Sequence, residues 1–288
     1  MCALMTTAET LQAEARERPR MAVAALLAAL LTLAAPVIGI VVLKNQPDNL
    51  VGQALQRQQH VAGLALSAVC SALGLLAIAV ALDFLLRAVR ARRPDLPWQL
   101  RPLLWTGGAG LAILLLALQV ATSVKLDHFA HEGSQTYEEA RKVSDFGAIA
   151  YLGILAQFAF AGAFVTIAVT AMRVGLLTRF LGYLGVISAV LFVIPLVPIP
   201  IVQIYWLGAL AALFAGRLPN GTPPAWQSGE AMPWPSPADM REQRVREAEA
   251  RRGGDVVEGT AAEPVADEPV ATGGPSPATS KRKRKKRR

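Results

Sequence analysis

Long uncharged stretches alternate with short charged interruptions through the first 216 residues, and then the pattern stops. Met21 to Leu43 holds 23 residues without a charge, which as a helix is about 35 Å long, enough to cross a hydrocarbon core of about 30 Å. A cleaved signal peptide competes for this segment, because Arg16, Arg18 and Arg20 precede it. Signal h-regions are about 7 to 15 residues long, however, and this run continues to Leu43. Val61 to Leu82, closed by Asp83, and Leu103 to Val124 are also long enough to span. A fourth run, Phe146 to Met172, follows Thr136-Tyr-Glu-Glu139, a capping-box pattern that predicts a helix start near Tyr137 and makes this the longest helix.

From Phe180 to Gly216 there are 37 uncharged residues, too many for one crossing, with prolines at 195, 198 and 200 near the midpoint. The pattern predicts a hairpin of two short helices, 180–197 and 200–216. Charge placement supports it, since loops rich in Lys and Arg stay in the cytoplasm. The basic residues are Arg16, Arg18 and Arg20 before the first span; Lys44 and Arg57 in the first loop; and Arg87, Arg90, Arg92, Arg93 and Arg101 in the second. The third loop has Lys125, Arg141 and Lys142 against five acids, and Arg173 and Arg179 flank the short fourth loop. Six spans place both termini inside. A single kinked helix over 180–216 would leave a strongly basic tail outside. The expected fold is thus an all-α, polytopic bundle of six transmembrane helices over 21–216, preceded by a cytoplasmic segment 1–20 and followed by a largely disordered cytoplasmic tail.

Composition agrees: 53% of the 288 residues are hydrophobic and 17% charged, far from the balance of a soluble domain. Cys2 and Cys70 cannot build a disulfide framework or a zinc ribbon. Small residues supply packing seams for helices in lipid: Gly63, Ser67 and Ser71; Gly108 and Ala112; Ala159 and Ala163 beside Gly162. Such seams leave homo-oligomerisation open. At depth the polar groups are Gln119, Gln157 and Gln203, with no ionisable residue well inside a span, which weakens an ion-coupled transporter reading. Asp83 reads as a surface i, i+4 partner of Arg87. Pro36 predicts a kink in the first helix and points weakly to a cavity.

The one metal-like cluster is made of His60, His128 and His131, all expected near the outer face, with Asp127 and Glu132 flanking the latter pair. Solvated loop residues are the plainer reading. No P-loop, dinucleotide fingerprint, nucleophile elbow or catalytic carboxylate pair occurs in a suitable setting, so no enzymatic activity and no cofactor is implied.

The tail begins with turn-forming residues, with Trp226 and Trp234 expected at headgroup level. Ser236-Pro-Ala-Asp239 resembles a helix start, giving a charged helix over 237–252. Residues 253–280 lack periodicity and read as a disordered linker. The chain ends in eight consecutive cations, Lys281, Arg282, Lys283, Arg284, Lys285, Lys286, Arg287 and Arg288. A flexible 28-residue linker spans roughly 29 Å, so this block can return to the bilayer. Anionic headgroups are its first expected partner, with Arg87, Arg90, Arg92 and Arg93 adding contacts; RNA, DNA or ribosomal phosphates compete for the same charge.

Met172–Gly185, Pro200–Leu210, Thr222–Trp226 and Pro233–Ser236 resemble the C-terminal half of uncharacterised multi-pass membrane proteins of actinobacteria, over about residues 147–243. The resemblance implies a plasma-membrane location and six spans, and it carries no functional residue. The leading expectation is a structural or regulatory interaction protein whose basic tail contacts anionic lipid or a cytoplasmic partner. The alternatives are a small-solute transporter or channel and an outer-face metal-binding protein.

Overall fold

Ala, Leu, Glu, Gln and Arg dominate the first forty residues, and all are strong helix formers. In the structure, a computed structural model describing residues 7–143, 145–194, 196, 199–218, 221–234, 241–242 and 244–247, they form one helix, α1, over Thr7–Val42. Helix α1 therefore starts well before Met21: helicity depends on backbone propensity, not on where the charges stop. At 36 residues it is the longest helix described, about 54 Å, and it carries Pro19 and Pro36 in its interior.

Asn49 caps a ten-residue helix, α2, over Leu50–Gln59, inside what reads as the first loop. Its apolar positions Val51, Ala54 and Leu55 lie on one face and pack with Leu126, Phe129, Ala140 and Val143 in a small second core. Helix α3 runs Val61–Arg92 and α4 runs Leu100–His131. Both outrun their apolar stretches, so Arg87, Arg90, Arg92, His128 and His131 are helical.

The expected continuous helix from Tyr137 is broken. Helix α5 covers Tyr137–Val143 and α6 covers Ala148–Arg173; between them Gly147 adopts φ +49° and donates its N–H to the Asp145 carboxylate. Helices α7, Arg179–Val193, and α8, Ile201–Phe214, have 15 and 14 residues. They lie antiparallel, with the Gln203 amide donating to the Ser188 carbonyl and Trp206 Nε1 to the Leu181 carbonyl. A short helix, α9, covers Ala225–Ser228.

The long helices form a closed ring. Helix α1 packs on α3, α3 on α4, α4 on α6, α6 on α7, α7 on α8 and α8 back on α1, while α3 also touches α6 across the middle. Close approach is set by missing side chains: a Cβ on Gly107 would collide with the Phe160 backbone, so α4 and α6 meet at backbone distance. Four helical stretches are long and apolar enough to cross a membrane: α1, α3, α4 and the stretch ending in α6. Their outer faces leave large apolar residues bare, among them Val41, Ile113, Val120 and Leu155 at 64–68% exposure, an apolar belt compatible with a lipid surrounding.

Residues through Trp234 form one compact unit and the rest a second. In the second, residues 241–242 and 244–247 are helical and exposed, with Glu242 and Arg246 one turn apart. The expected helix start Ser236–Asp239, the linker 253–280 and the cations 281–288 lie outside the described residues.

Candidate functional site at the basic end of the bundle

One end of the ring gathers the start of α1, the end of α3, the start of α4, the α6–α7 turn and the end of α8. Arg92 stands at its centre. Its side chain is 1% exposed, and all five N–H bonds are used. Nη1 donates to Glu14 Oε1 at 2.7 Å and the Ala88 carbonyl at 2.8 Å; Nη2 donates to Glu14 Oε2 at 2.9 Å and the Ala225 carbonyl at 2.8 Å; Nε also reaches Ala225 at 3.0 Å. This is the bidentate fork geometry that guanidinium makes with carboxylate. Arg92 therefore joins α1, α3 and α9, and it has no donor left for a headgroup.

Trp226 lies beneath it, 4% exposed, where the sequence placed it at the membrane surface. The ring stacks on Phe84 at 6.0 Å and meets Phe214 edge-on at 6.1 Å, and the Arg18 and Arg92 guanidinium carbons lie 4.7 and 5.4 Å from its centroid. Cations over an indole face are attracted by its quadrupole. Trp226 Nε1 donates to the Leu176 carbonyl, Met232 N–H to Val174 and Trp234 Nε1 to Leu177. The segment after α8 is thus a strap whose donors cap the α6–α7 turn. Gly175 in that turn has φ +78°, and a Cβ there would meet the Met232 carbonyl.

A second charged group lies beside it. Asp83, read as a surface partner of Arg87, is 5% exposed, because α4 folds over it. Its Oδ1 accepts from Arg101 Nε at 2.8 Å and from Trp105 Nε1 at 3.3 Å, with Arg87 Nε at 3.4 Å from Oδ2. Arg87 also pairs with Glu17 at 2.9 Å, with both side chains well exposed. Arg90 donates to the Pro97 and Trp98 carbonyls, and Arg93 is exposed at the end of α3. The four arginines singled out in the sequence are therefore dispersed: one buried, two engaged within the fold and one at the surface. The sequence reading missed Arg18 as a structural residue. Its one signal was the spacing of Glu14 and Arg18 on a single helical face.

At the opposite end the three histidines are exposed and separately engaged. His60 Nδ1 lies 2.9 Å from the Gln56 carbonyl, His128 Nδ1 2.8 Å from Glu132, and His131 Nδ1 3.2 Å from Asp127 Oδ1. Among the described residues no group of three or more His, Cys, Asp or Glu is placed to hold a metal ion.

Inside the ring, in the half away from the basic end, is a cavity of about 400 Å³ lined by Thr32, Pro36, Ser67, Ser71, Gln203 and apolar side chains of α3, α4 and α7. Pro36 has no N–H for the Thr32 carbonyl, and Ser67 Oγ donates to the neighbouring Ala35 carbonyl at 2.8 Å. Gln157 reaches the Phe192 carbonyl at 2.6 Å, and Gln119 lies 3.5 Å from Ser123 on its own helix. No family model, no curated protein and no solved structure matches this chain.

Proposed function

We propose that the chain is a six-span membrane anchor with a structural or regulatory role, holding a basic cytoplasmic tail against anionic lipid or a cytoplasmic partner. The observation that carries the reading is the strap. The chain leaves α8 and is fixed by Trp226, Met232 and Trp234, so the tail departs from a rigid point at Trp234. The buried charges Arg92 and Asp83 serve to hold that end together. In this reading α7 and α8 are the fifth and sixth spans, at about 22 and 21 Å each thinning the bilayer locally. Both termini face the cytoplasm by the charge rule. The resemblance to actinobacterial membrane proteins favours the plasma membrane.

The test uses the full chain in neutral-lipid nanodiscs mixed with anionic vesicles. Co-flotation should fall steeply with added salt and be lost on deletion of residues 281–288. Equal co-flotation of the deleted chain would end the lipid claim, and displacement by RNA at equal phosphate would move the partner to nucleic acid.

A second reading, binding or passage of a small solute, is favoured by the cavity beside Pro36. Its volume falls within the roughly 300–1,000 Å³ of ligand sites, and its wall mixes hydroxyls and an amide with apolar groups. Uptake of a solute panel into proteoliposomes, compared with empty vesicles and with Ser67→Leu, tests it.

A further inference from the structure

A groove runs between α1 and α8 at the basic end, about 710 Å³ in volume. Its floor is built from small and aliphatic residues one helical face apart, Ala22 and Leu26 on α1 and Gly208 and Ala212 on α8, and two arginines stand at its mouth, Arg18 and Arg217. Among the described residues the buried Arg18 Nε has no hydrogen-bond partner. Its Nη2 makes one long bond, 3.3 Å, to the Leu213 carbonyl. The carboxylate next to it, Glu14, is already held by Arg92 through both oxygens. Among the described residues neither Arg18 nor Arg217 has a carboxylate to itself, while the other side chains lining the groove are apolar.

We propose that this groove binds an anionic phospholipid, its phosphate accepting from Arg18 and Arg217 and an acyl chain lying along Ala22, Leu26, Gly208 and Ala212. Buried cation donors need acceptor oxygens, and apolar walls at the edge of an apolar belt need hydrocarbon, so one molecule with a charged head and an acyl tail meets both demands. A free phosphate would satisfy the arginines and leave the walls bare. The site rests on the membrane reading above and is independent of the tail, since none of its residues lies beyond Arg217.

The test is photolabelling of the full chain in nanodiscs, with phosphatidylglycerol or phosphatidylcholine carrying a photoreactive acyl chain and the labelled peptides identified by mass spectrometry. Peptides covering residues 15–26 and 208–217 should be labelled roughly tenfold more by the anionic lipid. Arg18→Gln also disturbs the stack on Trp226, so two other variants decide. Arg217 is exposed, and Arg217→Gln should cut the anionic preference roughly fivefold. A Cβ on Gly208 meets nothing within 4 Å, so Gly208→Leu should fold and remove labelling by both lipids. Equal labelling by the two lipids, unchanged labelling in Gly208→Leu, or displacement by inorganic phosphate would each overturn the proposal. Mapping to peptides separates it from the tail, whose failure would show in the co-flotation assay alone.

Discussion

Replacing Arg92 by alanine should unfold the basic end at a much lower temperature. The change deletes a guanidinium that donates to the Glu14 carboxylate, the Ala88 carbonyl and the Ala225 carbonyl. It takes from Glu14, whose side chain is 12% exposed, the cation that holds both its oxygens, leaving only the neighbouring Arg18 to offset its desolvation. Removing one partner of a buried ion pair costs about 3–5 kcal/mol, because the orphaned charge stays buried. For a domain of about 230 residues a loss of 1 kcal/mol lowers Tm by about 2–4 °C, so the shift should be roughly 6–20 °C. The assay is thermal unfolding of the purified protein in mild detergent, followed by tryptophan emission, since Trp226 sits under the guanidinium. The double variant Arg92→Met/Glu14→Leu removes both charges and keeps volume, and it should recover at least half of the loss. A shift below about 2 °C for Arg92→Ala, or a double variant no better than the single, would refute the argument that this pair closes the end of the bundle.

Three further outcomes follow from the packing. Trp226→Ala should cost about 3–5 kcal/mol through the lost ring, and Trp226→Phe about 1–2 kcal/mol through the lost bond to the Leu176 carbonyl; denaturant melts of the two, compared with wild type, separate packing from hydrogen bonding. Gly175→Ala should destabilise by about 1–3 kcal/mol, since φ +78° is strained for a side chain and the Met232 carbonyl blocks the Cβ; limited proteolysis within 221–234 should rise with it, and an unaffected cleavage rate would contradict the strap. Gly107→Leu should prevent assembly altogether, because α6 backbone occupies the space; a monodisperse, wild-type-like gel-filtration profile would show that α4 and α6 do not need that contact.

The helical regions were legible because length and apolarity alone decide whether a helix can span. What the sequence concealed is where helices begin and end. Met21 marks a change in polarity, yet backbone propensity carries α1 back to Thr7; likewise α3 continues past Asp83 and α4 past Val124. The gap between α5 and α6 had one local signal, Asp145 two residues before Gly147, an Asx-type turn, and the capping box at Thr136 outweighed it. The i, i+4 pair of Asp83 with Arg87 is present at 3.4 Å, but its expected place at the surface went astray for a different reason. An i, i+4 rule sees one helix, whereas the shortest contact to Asp83 comes from Arg101, on the neighbouring helix. Trp226 was misplaced by the same logic: an interfacial preference is a statistical tendency, and the arginines that bury it are far away in sequence.

The Arg92 cluster also fixes an order of assembly. Glu14 belongs to α1, Arg92 to α3, and Ala225 to a segment completed only after α8, so the cage around the guanidinium stays open until nearly the whole ring exists. Synthesis runs from the N-terminus and early elements wait for late partners, which makes Trp226 the keystone of the arch. A chain stopped at residue 218 would possess every helix of the ring and still lack the piece that locks it; one stopped at 234 would possess both. Fusions and reporters belong after Trp234, and a nascent chain paused before Ala225 presents quality-control proteases with an unsealed end.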